Sequence, residues 1–144
     1  MLLTPDSDAA DAALRGLRPA VDAAPASPPE LTADTLLHAA LRPILKLHNA
    51  RLLRLVADFA RDYRLPLPGA APADQARLLE ELLRRNQRLQ HTAVGLVTAL
   101  LTMPEYEYYR HHRAEVNRRL LELLRQRVAT QVPAVVALAA EAAP

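Results

Sequence analysis

From Leu31 onward the apolar residues recur with the 3.6-residue period of a helix, in three runs of about thirty residues separated by only two short connections. Runs of that length with tight turns between them force neighbouring helices to run antiparallel. The expected fold is therefore all-α, an antiparallel up-down-up three-helix bundle of long helices, with short peripheral helices at the N- and C-termini.

The first run spans about 32–63, with a stripe of Leu37, Leu41, Ile44, Leu45, Leu52, Leu55, Val56, Phe59 and Tyr63. Pro43 falls inside it and is expected to kink or divide it. The segment 65–72, with Pro66, Pro68, Gly69 and Pro72, reads as a rigid, solvent-side turn. The second run spans about 72–101, along Leu78, Leu79, Leu82, Leu83, Leu89, Ala93, Leu96, Val97 and Leu100. The third spans about 103–131 and starts at Thr102-Met-Pro-Glu105, the spacing of a capping box with Pro in the first turn. Its stripe is Tyr106, Tyr109, Val116, Leu120, Leu123, Leu124 and Val128, and Pro133 marks its end. Residues 134–142 read as a short last helix.

Residues 1–30 differ in character. Five prolines stand among Ala, Ser and Asp. A short helix is expected over 5–17, with Thr4 as cap and Pro5 in its first turn, followed by a linker over 18–30. The whole is read as a flexible or loosely docked arm preceding a bundle domain at 31–144. Charge divides along the chain. Residues 1–34 hold two arginines against six acids, a balance of −4, and residues 35–144 hold sixteen bases against ten acids, a balance of +6. Of the 18 basic residues only Lys46 is a lysine.

Several function classes find no residues to carry them. There is no cysteine, hence no disulfide frame and no Cys-ligated zinc. No Gly-rich phosphate loop, H-E-x-x-H or Glu-x-x-His pair occurs. The only serines, Ser7 and Ser27, lie in the arm. No catalytic residue, cofactor or metal site is assigned, and an enzyme is not expected. The longest apolar stretches, 92–103 and 132–143, fall short of a membrane span, and the first residues lack the basic start and apolar core of a signal peptide. The expected location is cytoplasmic.

Two polar constellations stand out when each run is wound at about 100° per residue. His48, Asn86 and Asn117 fall on the apolar stripes at nearly one level, with Arg113 within a long side chain's reach. Such a central polar layer fixes helix register or, with His48 titratable and Arg113 holding an anion, binds a small ligand. Arg51, Arg54, Arg84, Arg85, Arg88, Arg118 and Arg119 gather at mid-height as a belt that suits a polyanion, nucleic acid included. The bases on the second and third runs are expected to pair with acids three or four residues before them: Glu80 and Glu81 with Arg84 and Arg85, Glu115 with Arg119, Glu122 with Arg125. Of the aromatic and basic residues at 106–113, Tyr106 and Tyr109 are expected in the core, Tyr108 and His111 outward and His112 at a flank.

Leu36, Leu47, Leu53 and Leu121 lie off the main stripes. They require a second contact, from the arm, from the 135–138 piece or from another copy, and self-association is the favoured reading. The expected function is a non-enzymatic interaction or scaffolding module that forms a homo-oligomer or binds another protein. A polyanion binder using the Arg belt is the alternative, and a small-ligand-binding bundle the third reading.

Overall fold

The computed structural model describes residues 5–19 and 30–141, with side chains from Ser7 onward in the first stretch. Thr4 and most of the expected linker, residues 20–29, lie outside the described residues. The only regular secondary structure among those described is helical, with no strand. The helices are α1 (Pro5–Gly16), α2 (Ala33–Leu36), a π turn (Leu37–Leu41), α3 (Arg42–Leu47), α4 (Asn49–Asp62), α5 (Pro72–Arg85), α6 (Gln87–Thr98), α7 (Met103–His111), α8 (Arg113–Ala129) and α9 (Val132–Ala140).

The three long runs begin where the sequence placed them, at Thr32, Pro72 and Thr102, but each is interrupted. In the first, Pro43 has no N–H to give to Ala39. The chain adjusts just before it by a π turn, in which Arg42 N–H bonds Leu37 O, five residues back. Five residues after Pro43 the backbone leaves the helix at His48 (φ −91°, ψ 7°), which separates α3 from α4. Asn86 divides the second run by turning extended (φ −85°, ψ 100°). His112 (φ −129°, ψ 31°) divides the third. The third run ends at Ala129, shortly before Pro133. That proline sits in the first turn of α9, where its missing N–H costs nothing.

The chain forms two compact units. The first comprises Met1–His48 and Val94–Leu120, the second Asn49–Ala93 and Leu121–Pro144. In the first, Leu36, Leu41, Ile44, Val97, Val116 and Leu120 are buried. In the second, α4 packs on α5 and α9, and α5 on α9. Its core holds Leu52, Val56, Leu67, Leu79, Leu89 and Val135.

Two details depart from the periodicity reading. Leu67, in the connection expected to face solvent, is buried, and its carbonyl accepts from Gln75 Nε2 at 2.9 Å. Tyr63, expected on the stripe, is half exposed. It closes α4, where Arg64 adopts a left-handed φ of 55°. Leu65 N–H then bonds Ala60 O and Arg64 N–H bonds Arg61 O, the paired bonds of a Schellman end.

Candidate functional site

The second unit carries an open groove of about 640 Å³ between α4 and α9. It is lined by Asn49, Ala50, Arg51, Leu53 and Arg54 of α4 and by Ala134, Ala137 and Leu138 of α9. Leu53 is buried and Leu138 half-buried, while Ala50, Ala134 and Ala137 are exposed. One end is fixed by Asn49, which exchanges side-chain amide bonds with Gln131 (2.9 and 3.0 Å) and accepts from Arg127 at 3.2 Å. The other end is fixed by Arg61, whose guanidinium donates to the carbonyls of Leu138, Ala139 and Glu141. Those are the last carbonyls of α9 and its exit, where a cation satisfies both the orphan acceptors and the helix dipole. On the rim, Arg54 pairs with Glu141 at 2.9 Å.

Leu53 was one of the leucines in surplus on its helix. Its second contact is α9, within the same chain. Leu36 is also fully buried, and Leu47 and Leu121 are half-buried. A smaller groove in the same unit is lined by Tyr63, Leu65, Leu78, Glu81, Leu82, Arg85 and Asn86.

Members of the expected polar layer stand at or beside interruptions of the helices. The common level of its members assumed unbroken helices, and the breaks fall at His48, at Asn86 and beside Arg113. Asn86 Oδ1 accepts Leu89 N–H at 2.9 Å, which makes Asn86 the N-cap of α6. Arg113 and Asn117 do come together, on Tyr109. The phenol donates to Asn117 Oδ1 at 2.8 Å, and the exposed Arg113 guanidinium lies 5.7 Å from the ring centroid. His48 is half-buried at the end of α3. Of the tyrosines expected in the core, Tyr109 is buried, but Tyr106 is 39% exposed. Tyr108 stacks on His112 with centroids 4.0 Å apart.

The arginines of the expected belt are divided between the two units. Arg51, Arg54, Arg84, Arg85 and Arg88 belong to the second unit, Arg118 and Arg119 to the first. Arg119 is held by Asp34 at 2.5 Å and, as its spacing suggested, by Glu115 at 3.8 Å. This pairing lowers the Asp34 pKa and raises that of Arg119, through the shared hydrogen bond first and their opposite charges second. Glu80 and Glu81 do not take Arg84 and Arg85. Glu80 faces Arg125 (3.9 Å) and Glu81 faces Arg77 (3.6 Å), so Arg125 does not pair with Glu122. On α7, Glu107 meets His111 at 3.1 Å and Arg110 at 3.2 Å, and these bonds hold its carboxyl below the usual range.

The arm contains a site that sequence reasoning missed. Arg18 reaches into the first unit and pairs with Glu105 through both terminal nitrogens, at 2.8 and 2.5 Å. Nη1 also donates to Ala39 O at 3.2 Å and Nη2 to Leu100 O at 3.3 Å. The two side chains are only 9% and 10% exposed. Burial pushes the Glu105 carboxyl up. The hydrogen bonds from Arg18 and from Thr102 N–H, with the Arg18 charge, more than offset this and hold it below the usual carboxylate range. Nearby, Asp11 Oδ1 accepts Met103 N–H at 2.9 Å. The only sequence signal was Pro43, which implies a carbonyl at Ala39 in need of a donor.

Among the described residues no group of three or more His, Asp or Glu side chains could hold a metal, and no helix is long and apolar enough to cross a membrane. Comparison with protein families, with curated proteins and with solved structures returns no match.

Proposed function

We propose that the protein is a non-enzymatic interaction module whose docking face is the α4–α9 groove, and that the partner is an acidic amphipathic helix. The observation that carries this reading is the lining of the groove. It combines Ala50, Leu53, Ala134, Ala137 and Leu138 with Arg51 and Arg54, and includes no carboxylate. Small side chains on the exposed walls let a helix lie close over Leu53, the helix-in-groove mode of recognition. Arg51 and Arg54 complement acids along the flank of that helix and set its register. Glu141, on Arg54, is the carboxylate that an incoming acid replaces.

The test is fluorescence anisotropy with a labelled peptide of alternating Leu/Ala and Glu faces, beside native mass spectrometry of the protein alone. Ala137→Trp fills the groove from an exposed position and should weaken peptide binding at least about tenfold, 1.4 kcal/mol. A dimer abolished by the same substitution would make a second copy of the chain the occupant, in place of a foreign helix. A monomer that ignores the peptide removes the proposal.

A second reading, polyanion binding, is favoured by one observation. With Glu80 and Glu81 turned to Arg125 and Arg77, the exposed Arg84, Arg85 and Arg88 carry no ion pair among the described residues. Arg54 and Arg119, by contrast, are engaged by acids. This reading predicts retention on heparin that falls steeply with salt, and that is lost when the three arginines of the α5–α6 junction become glutamate. The belt as a whole would then reduce to that junction.

A further inference from the structure

We propose that Glu105, Ala39 and Leu100 form a binding site for an alkylguanidinium, the side chain of an arginine, and that the arm carrying α1 is its detachable resident occupant. The acceptors are fixed by their own elements, independently of Arg18. Glu105 is held by the capping box of α7, where its Oε1 also accepts Thr102 N–H at 2.8 Å. The Ala39 carbonyl is left open because Pro43, four residues on, has no N–H. Leu100 lies just past the end of α6, where carbonyls lack helical partners. The seat is therefore shaped before any guanidinium enters it.

Its geometry selects a guanidinium over an ammonium. Two nitrogens on one planar edge reach four acceptors, which a single Lys nitrogen cannot match. Recognition lies on that edge, since Arg18 Nε is buried without an acceptor. An empty seat leaves a buried carboxylate uncompensated, which drives it to take another cation.

Over its described residues the arm is attached largely by polar groups. Between Ser7 and Pro19 the one buried residue is Asp11, and Leu17 is 53% exposed. Among the described residues of the arm no apolar side chain is fully buried. Among the contacts of these residues are Arg18 on Glu105 and Asp11 on Met103 N–H, and groups of this kind exchange with water or with a competing ion far more readily than packed leucines do.

Ethylguanidinium is the probe and ethylammonium, at equal ionic strength, the control. Arg18→Ala should lower the Tm, and millimolar ethylguanidinium should recover part of the loss in a concentration-dependent way that ethylammonium does not reproduce. In the wild-type protein, ethylguanidinium captures each transiently open arm. Hydrogen exchange of the α1 amides should then accelerate in proportion to 1 + [L]/Kd, with the amides of α4 unchanged. The wild-type measurement decides even if the Arg18→Ala chain does not fold. Equal effects of the two cations, or α1 exchange indifferent to both, would overturn the proposal.

Discussion

Arg18 donates to the Ala39 carbonyl at 3.2 Å, the acceptor that Pro43 leaves without a partner in its own helix. A defect within one helix is thus met by a residue 21 positions away in the arm. The same guanidinium neutralises Glu105, so one side chain satisfies a backbone orphan and a buried charge together.

Removing that side chain should be costly. Arg18→Met leaves Glu105 buried and unpaired, a loss expected at about 3–5 kcal/mol. For a chain of this length that is a fall in Tm of roughly 10 °C. Thermal unfolding of Arg18→Met, Glu105→Gln and the double variant measures it. The double variant should be more stable than the sum of the single losses, because it leaves no lone charge.

The pH dependence follows from Glu105. Its carboxyl is held below the usual carboxylate range in the folded protein, so the folded state keeps the charge to lower pH than the unfolded chain does. The stability this confers is complete above the unfolded value and disappears as pH falls through the folded one. Acid titration of wild type should therefore show a loss of stability beginning below about pH 4.5 that is smaller in Glu105→Gln. Asp34 and Glu107 shift in the same direction but are exposed, and their share should vanish in high salt.

Asn86 offers a test between a cap and a core position. As the N-cap of α6, Asn86→Leu should destabilise by about 1 kcal/mol, and Asn86→Asp or Asn86→Ser should be close to neutral. Urea unfolding distinguishes the cases. A more stable Asn86→Leu protein would mean that the residue had been a polar intrusion in an apolar stripe.

Arg64 holds a left-handed φ of 55° at the end of α4. Glycine occupies that conformation without steric cost. Arg64→Gly should raise stability by about 0.5–1 kcal/mol, and Arg64→Val should lower it, measured by the shift in denaturation midpoint at constant slope.

Local signals in the sequence were accurate where the cause was local. Thr102 and Glu105 form the expected capping box, Pro43 perturbs its helix, and the Glu115–Arg119 pair forms at helical spacing. The polar layer was less legible because phase accumulates. Winding His48, Asn86 and Asn117 to one level required unbroken helices, and a break of one residue resets the angle for all that follow. The groove announced itself only as a surplus leucine. Leu53 was visible in the pattern, but whether α9 or a second copy met it was not, since periodicity names the buried face and not its neighbour.

The sequence by itself determined that the chain is helical, where its long runs begin, and which positions along them are apolar, because each of these follows from residues within a turn or two. Only the tertiary structure decided that the acidic arm docks by its arginine, that Glu80 turns to Arg125 in place of its own helix neighbour, and that α9 packs on α4. Those choices join residues dozens of positions apart, and they are settled by which buried carbonyl, carboxylate or leucine finds its complement in space.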